Sequence, residues 1–411
     1  MKRFFFTVIA FAAVTVGCTK SSILEKAPAF ETPIEFQTYT GKTPVSKATE
    51  TNLASVQAEG FHVTAFLTGA HNNYANHYLN ADVTYVTEDE DGNALTTPKW
   101  DYPGVAYWPD GSALDFVAYG LNPTTTANVT NGSTTASTNL VNFGTSKTTF
   151  TYSVPDRVAD QYDLVVAVPV TNRTNAGTTT GTYNNTVTFD FKHVLSKVGF
   201  KVQTDNDYST NPVNVIIKNI TIKGVFKNTG IVNLTSATPA IDYSASTSTI
   251  GSYSLFDHNY TKGTTTGNFS GFVCQNSTSA TPIYPNTTYA AGDLTTDPTA
   301  SGTANVNDRF MMIMPGTVGT PSGKEWPYIE VVYELTEGEE QVAEVPLKMD
   351  MGADANPRYV NWKFEAGYSY EFVLKVSTSA IGFTVTVSGW TDYFAGTSAT
   401  DDEIFTLTPL S

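Results

Sequence analysis

Few residues in this chain have the types and spacing that catalysis or metal binding needs. His71 and His77 share a polar stretch, but neither stands at metal-ligand spacing from a cysteine or a glutamate. A solvated loop is therefore favoured there over a metal site. His193 follows a strand pattern, which predicts a hydrogen-bonded histidine at a junction between domains. No nucleophile elbow, phosphate loop or dinucleotide fingerprint occurs, so we expect no enzyme and no cofactor.

An acidic run around Asp89 could suggest a calcium site. Counted from Asp89, the alternating acidic and amide positions fit a calcium loop. However, Ala94 stands where that loop needs glycine, and Trp100 stands where it needs the closing glutamate. The Asp91-Gly92 pair between two apolar segments is instead typical of a hairpin turn. The sequence therefore predicts a turn.

The densest aromatic stretch spans residues 100–121 and begins with Trp100, Tyr102, Tyr107 and Trp108. Clustered rings of this kind can stack on sugars, as they do in carbohydrate-binding modules. They fill the core of a β-sandwich more often, because each ring buries a large apolar area. Both interpretations stay open: a core cluster, which is favoured, or a platform for a glycan or host ligand.

The chain begins like an exported protein. Basic residues precede a short apolar run, which predicts an export signal over residues 1–17 that is too short to cross a bilayer. A small residue before Cys18 resembles a lipobox, whose cysteine is acylated, although Thr15 stands where leucine is usual. Ordinary signal cleavage is the alternative. If Cys18 carries lipid, Cys274 has no cysteine left to pair with, which excludes a disulfide framework.

The formal net charge is −16. A surface of this sign repels nucleic acid and anionic membranes and favours solubility outside the cell. We therefore expect no nucleic-acid partner.

The elements that must position these residues are strands. Apolar residues alternate with polar ones at 61–67, 187–191, 331–335, 368–376 and 381–387. This period of two places one face on a core and the other toward water. Residues 164–168 form a continuous apolar run instead, as in a strand buried on both faces. New strands are predicted at 213–223 and 224–234, and a short helical piece at 51–59. The predicted fold class is all-β.

The length of the chain favours two domains. We predict a propeptide at 18–47, an N-terminal β-sandwich at 48–188, a C-terminal β-sandwich at 189–394 and a tail at 395–411. The propeptide contains a strand candidate at 33–39, a turn-like segment and then Lys47 followed by Ala48. We interpret this arrangement as one removable strand followed by a protease site.

Five short segments, in order over most of the chain, carry a resemblance to a known family. They are residues 34–36 followed by Lys47-Ala48, residues 107–119, residues 161–167, residues 191–198, and residues 364–370 with 381–390. On these segments the chain resembles the fimbrillin family, specifically the Mfa-like fimbrillins that build type V pili of anaerobic Gram-negative bacteria. Each segment is degenerate alone, and their order and spacing carry the resemblance.

The resemblance implies two transthyretin-like β-sandwiches and export as an outer-membrane lipoprotein. It also implies proteolysis after the first strand and polymerisation with other fimbrial subunits by strand exchange, in a fimbrium that serves adhesion and biofilm. The family's arginine at the cut site is Lys47 here, which implies a trypsin-like protease of different preference or no cleavage. Without cleavage or polymerisation, the protein would be an anchor, a tip adhesin or a surface lipoprotein.

The donor strand would come from the tail. Phe405, Leu407 and Pro409 share one face of a strand candidate that begins at Ile404. This spacing suits successive pockets along a groove. The alternative is a last edge strand packed on its own domain, since alternation does not specify which sheet a strand joins.

Overall fold

The computed structural model describes the chain in segments. These are residues 33–38, 56–57, 60–68, 77–89, 91–110, 112–120, 141–142, 148–155, 161–176, 183–204, 215–255, 259–262, 265–268, 272–273, 310–335, 340–350, 359–376, 381–389 and 402–403. Within these ranges the protein is all-β, as predicted, and Val56 and Gln57 are the helical residues.

The strands of the first half include one that spans the predicted segment 61–67. They are β1 (Glu35–Thr38), β2 (Phe61–Leu67), β3 (Leu79–Glu88), β4 (Ala94–Asp101), β5 (Leu114–Gly120), β6 (Val141–Asn142), β7 (Thr149–Ser153), β8 (Val165–Ala167), β9 (Val170–Arg173), β10 (Thr186–Phe189) and β11 (Phe191–His193). A seven-stranded sheet has the order β11-β8-β5-β2-β3-β4, with β9 also paired to β5.

The strands of the second half range from 2 to 13 residues in length. They are β12 (Ser196–Thr204), β13 (Val215–Lys227), β14 (Thr229–Asn233), β15 (Ile241–Asp242), β16 (Thr249–Ser254), β17 (Asn259–Lys262), β18 (Thr265–Asn268), β19 (Phe272–Val273), β20 (Phe310–Ile313), β21 (Gly316–Thr317), β22 (Tyr328–Leu335), β23 (Glu340–Pro346), β24 (Lys348–Asp350), β25 (Tyr359–Asn361), β26 (Lys363–Phe364), β27 (Tyr368–Val376), β28 (Ile381–Gly389) and β29 (Asp402–Glu403). Two five-stranded sheets have the orders β20-β12-β27-β28-β29 and β16-β13-β22-β23, the latter with β19 paired to β13.

One predicted strand boundary is wrong. The sequence placed a break at Gly224, but β13 continues through it to Lys227. The ladder between β13 and β16 shifts register between Lys223 and Phe226, so the strand passes through an irregularity there instead of ending. A Cβ at Gly224 would lie 2.3 Å from Val318 Cγ1. Glycine is therefore needed there for close packing and not for a turn.

The seven-stranded sheet carries apolar side chains on both faces. Phe116 and Ala118 of β5 pack in one hydrophobic cluster, whereas Val117 and Tyr119 of the same strand pack in another. The side chains of β8 also pack alternately in the two clusters, and all three of its residues are buried, as the continuous apolar run predicted. The cluster that contains Phe116 spans residues 34–191, and the other extends to Leu374.

Strand pairing also joins the two halves of the chain. A four-stranded sheet has the order β15-β14-β7-β6, so β7 from the first half pairs with β14 from the second. Phe150 of β7 lies opposite Val232, and both are buried. The predicted boundary at residues 188–189 is therefore bridged by a sheet as well as by the chain.

Candidate functional site

The site is built around β1, the first described strand. It pairs in parallel with β10, and Phe36 lies opposite Val187. At its start, the Glu35 amide donates to the Asn185 carbonyl (3.0 Å). On the opposite side, the Ile34 amide donates to the Ala106 carbonyl (2.9 Å). Strand β1 therefore lies between β10 and a non-strand segment around residue 106.

The side chains of β1 alternate between core and solvent. Ile34 just before the strand is 2% exposed and Phe36 is 5% exposed, whereas Glu35 and Gln37 are exposed. This alternation directs two apolar anchors into the protein, as the pleat of a strand requires. Because β1 and the residue just before it supply both anchors, removal of this segment would leave an apolar groove beside the unpaired edge of β10.

Four aromatic rings surround the Phe36 ring. Their centroids lie 5.3 Å (Tyr102), 5.9 Å (Phe189), 6.3 Å (Phe61) and 6.3 Å (Phe116) from that of Phe36. Three contacts are edge-to-face and the one with Phe189 is stacked. Both geometries are favourable for aromatic pairs. We call this surrounding set the ring pocket.

The four candidate ligand aromatics fall in different environments. Trp100 and Trp108 are buried, and their rings contact Phe61 (5.1 Å) and Phe116 (5.7 Å), respectively. Tyr102 is partly buried, and its hydroxyl donates to the Ile34 carbonyl (2.9 Å). Burial raises the pKa of Tyr102, so this hydroxyl stays protonated as a donor. Tyr107 is 41% exposed. Tyr102 thus holds β1, and Tyr107 is the ring of the four most open to a ligand.

Arg173 also supports the site. Its Nη2 donates to the Asn184 carbonyl (2.9 Å) and the Thr186 carbonyl (3.2 Å). Its guanidinium lies 5.7 Å from the centre of the Trp108 ring, and the Trp108 indole donates to the Asn185 carbonyl (3.3 Å). These contacts fix the start of β10, against which β1 pairs. The sequence offered no signal for this role, because Arg173 stands in a run of Thr and Asn without a motif.

The remaining predicted site residues lie outside the described part of the chain. They are Cys18, Lys47 and Ala48 near the N-terminus, and Ile404, Phe405, Leu407 and Pro409 in the tail. The short strand β29 ends just before Ile404. It pairs antiparallel with β28 of its own chain, with Glu403 opposite Val387. The tail is therefore attached to the C-terminal sheet directly before the donor candidate begins.

The polar clusters have structural partners. His193 Nδ1 lies 2.7 Å from Asp163 Oδ2, and both side chains are fully buried, so the hydrogen-bonded histidine was predicted correctly. Asp89 accepts from the backbone amides of Asn93 (2.8 Å) and Asp91 (3.0 Å), and these bonds, that from Asn93 above all, lower the pKa of its carboxyl. Gly92 has a φ of 80° in this hairpin, which confirms the predicted turn.

The described residues contain neither a metal-ligand cluster nor a membrane-spanning helix. Their His, Cys, Asp and Glu side chains form no group that could hold a metal ion. Among the same residues, no helix has the length and apolar character to cross a membrane.

Fold and site together define an all-β protein whose first described strand fills an apolar groove. The chain belongs to the fimbrillin-like family, whose model matches residues 46–390. Family membership supports a fimbrial subunit or adhesin at the cell surface.

Among the solved structures that are similar to this chain are two fimbrial proteins. A fimbrial protein from Bacteroides vulgatus is 17% identical, with a TM-score of 0.49 and coverage of 87% of this chain and 99% of that one. The tip fimbrial protein Mfa3 from Porphyromonas gingivalis, truncated at its C-terminus, is 11% identical. Its TM-score is 0.36, with coverage of 81% of this chain and 94% of that one. A search of curated proteins found no match.

Proposed function

We propose that the protein is a structural subunit of a surface fimbrium that polymerises by strand exchange. The observation that carries this proposal is the packing of β1, which occupies an apolar groove through two anchors, Ile34 and Phe36. Such a groove can be refilled by an extended strand from another subunit. Each subunit would then be a donor and an acceptor, which generates a head-to-tail fibre.

Proteolysis would make β1 removable. A trypsin-like cut between Lys47 and Ala48 lies after β1 and before β2, so it separates the strand from every other described element. Afterwards β1 is held by its groove contacts alone. Burying an apolar side chain of this size contributes about 1.5–3 kcal/mol. Two such anchors hold a short strand weakly enough for a longer donor to displace it.

Cys18 and the tail complete the proposed assembly. Acylation of Cys18 would hold the precursor in the outer membrane until the cut releases the mature subunit. A Cys18→Ala variant should therefore leave the membrane fraction, which cell fractionation measures. The tail, with Ile404, Phe405, Leu407 and Pro409, would supply the donor strand. The assembled fimbrium would serve cell adhesion and biofilm formation.

The decisive experiment starts from lipid-free protein that begins at Thr19. Treatment with trypsin at low dose should give a high-mass ladder on unboiled gels and a new N-terminus at Ala48. A Lys47→Gln variant is the matched control and should stay monomeric. A variant that lacks residues 403–411 should be cut but not polymerise. A stable monomer after a verified cut at Lys47 would refute strand exchange.

A second function is adhesion by a non-polymerising subunit, and one observation favours it. Tyr107 and Tyr78 are exposed beside each other, and the Tyr78 hydroxyl donates to the Tyr107 carbonyl (2.5 Å). Exposed tyrosines can bind a glycan or host ligand through an apolar ring and a polar hydroxyl. A glycan array should then show a binder that is lost in Tyr107→Ala, whereas an array without any binder would rule out this glycan role.

A further inference from the structure

We propose that the tail of a second subunit enters the groove antiparallel to β10, in the direction opposite to β1. Phe405 would occupy the ring pocket that Phe36 fills, and Leu407 would take the place of Ile34. This inference rests on the proposed strand exchange and specifies the direction and register of the donor.

The groove accepts its two anchors in a fixed order. Along β1, the aliphatic Ile34 comes first and the aromatic Phe36 follows two residues later. Four rings surround Phe36 at centroid distances of 5.3–6.3 Å, which suits a planar ring. A donor therefore needs an aromatic residue for the ring pocket and an apolar neighbour two positions away.

The tail has the same anchors in the reverse order. Phe405 is the aromatic residue of the segment 404–411. With Phe405 in the ring pocket, a strand parallel to β10 would place Glu403 at the Ile34 position. An antiparallel strand would place Leu407 there instead. The Ile34 position is 2% exposed, and burial of an unpaired carboxylate is far more costly than burial of leucine.

The position of β29 supports the same direction independently. Glu403 already pairs with Val387 in the C-terminal sheet of its own chain. A parallel donor with Phe405 in the ring pocket would need residues 403 and earlier in the groove, so β29 would have to detach. An antiparallel donor places residues 405–409 along the Ile34 half of the groove. Strand β29 can then stay in its own sheet.

The edge of β10 does not prevent this reversal. In the native ladder its backbone bonds with a parallel strand, yet the same N–H and C=O groups can form an antiparallel ladder. Antiparallel pairing is slightly more stable per residue. A donor in this direction therefore gains backbone stability over β1 as well as an apolar match at both anchors.

Cysteine cross-linking tests the proposed combination of direction and register. Gln37 lies opposite Thr188 in β10, and both side chains are exposed, so a cysteine at 188 reports which donor residue replaces Gln37. Ile404 takes this place in the antiparallel donor. Thr406 takes it in a parallel donor with Phe405 in the ring pocket, and Thr408 takes it in a parallel donor with Leu407 there. Directly opposite residues are about 5 Å apart and diagonal ones about 7–8 Å.

The test uses three variants of the chain from Thr19 to Ser411, each of which carries Cys274→Ser and Thr188→Cys. Each has one further cysteine, from Ile404→Cys, Thr406→Cys or Thr408→Cys. After trypsin and mild oxidation, boiled non-reducing gels reveal covalent ladders. We expect the Ile404→Cys variant to give at least about fivefold more ladder than the other two, because only its cysteines are directly opposite.

The other outcomes test the direction and register of the donor separately from the proposed strand exchange. A dominant ladder from Thr406→Cys or Thr408→Cys would overturn the proposed arrangement while strand exchange stands, because it requires either a parallel donor or an antiparallel donor shifted in register. Polymers on unboiled gels without any covalent ladder would overturn the register in the same way. If unboiled gels show no polymer for any variant, strand exchange itself fails and the orientation fails with it.

Discussion

Replacing Phe36 by alanine should release β1 without unfolding the rest of the protein. Phe36 is 5% exposed and contacts four rings, so truncation removes both its burial and its packing. Phenylalanine-to-alanine changes in cores cost about 3–5 kcal/mol. Strand β1 has four residues and a strand partner on one side, so the site can partly collapse and the lower end applies. We expect a loss of about 3 kcal/mol.

Native-state hydrogen exchange measures this loss in the uncut chain that starts at Thr19. The amides of Ile34 and Glu35 donate to backbone carbonyls across the groove and exchange when β1 opens. A loss of about 3 kcal/mol should speed their exchange about 150-fold. Gln37→Ala is the matched control on the same strand, because its side chain is exposed. It should change the exchange rate by about twofold or less, as exposed surface changes usually do.

Two results would refute the reasoning. Equal exchange in the Phe36→Ala and Gln37→Ala variants would mean that the ring pocket does not hold β1. Equal acceleration in β27, far along the chain, would mean that β1 opens only when the whole protein unfolds. Either result would remove the basis for treating β1 as a separable strand.

Three further predictions concern the framework around the groove. Arg173→Gln should lower the free energy of unfolding by about 1.5 kcal/mol in urea denaturation, because it removes charge-assisted bonds to Asn184 and Thr186. Lys99→Gln at an exposed position is the control, and an equal effect of this change would contradict the role of Arg173. Gly60→Ala should lower the free energy of unfolding by at least about 2 kcal/mol in the same assay, because Gly60 has a φ of 81° and a Cβ there would lie 2.4 Å from the Val83 carbonyl oxygen. Gly251→Ala is the control and should lower it less, because a Cβ at Gly251 would have no atom within 4 Å. Burial raises the pKa of Tyr152 well above its usual 10.0, so the folded state keeps a proton that the unfolded state loses, and stability should fall as the pH rises above 10. Tyr152→Phe should weaken this loss of stability in thermal melts between about pH 9 and 11.5, and an unchanged dependence on pH would contradict the assignment.

The strands themselves could be predicted because their period is visible in the sequence. Strands β2, β22 and β27 all fall on stretches of alternating apolar residues, and β8 falls on the continuous run. Each of these patterns reports local burial, which depends on side chains a few residues apart. The all-β fold class follows from them directly.

The pairing of the strands could not be predicted in the same way. Strand β1 pairs with β10 about 150 residues later, and β7 pairs with β14 across the proposed domain boundary. An alternating pattern specifies which face is apolar but carries no information about the neighbouring strand. The groove, which is made by such long-range pairing, was therefore visible in the sequence only as an isolated strand candidate.

The site residues also differ in whether their roles depend on local sequence or on long-range contacts. The role of β1 as one separate strand is predicted from residues 33–39 and the Lys47-Ala48 pair that follows them. The role of Tyr102 in holding its backbone depends on a contact 68 residues away. Arg173 contacts carbonyls up to 13 residues away and the Trp108 ring. Such contacts arise only when distant elements pack together, so no local spacing of residues in the sequence predicts them.

The side-by-side ladder of β1 and β10 also has a mechanical consequence. Its four residue pairs lie one after another along the strand direction. Tension along a strand seated there loads these pairs in shear, so all of them resist together. Tension across the strand would peel them apart one at a time from the end. The lifetime of the contact under load depends on its rate of opening and not on its equilibrium stability. A groove of this shape therefore favours a long-lived joint when the pull runs along the groove.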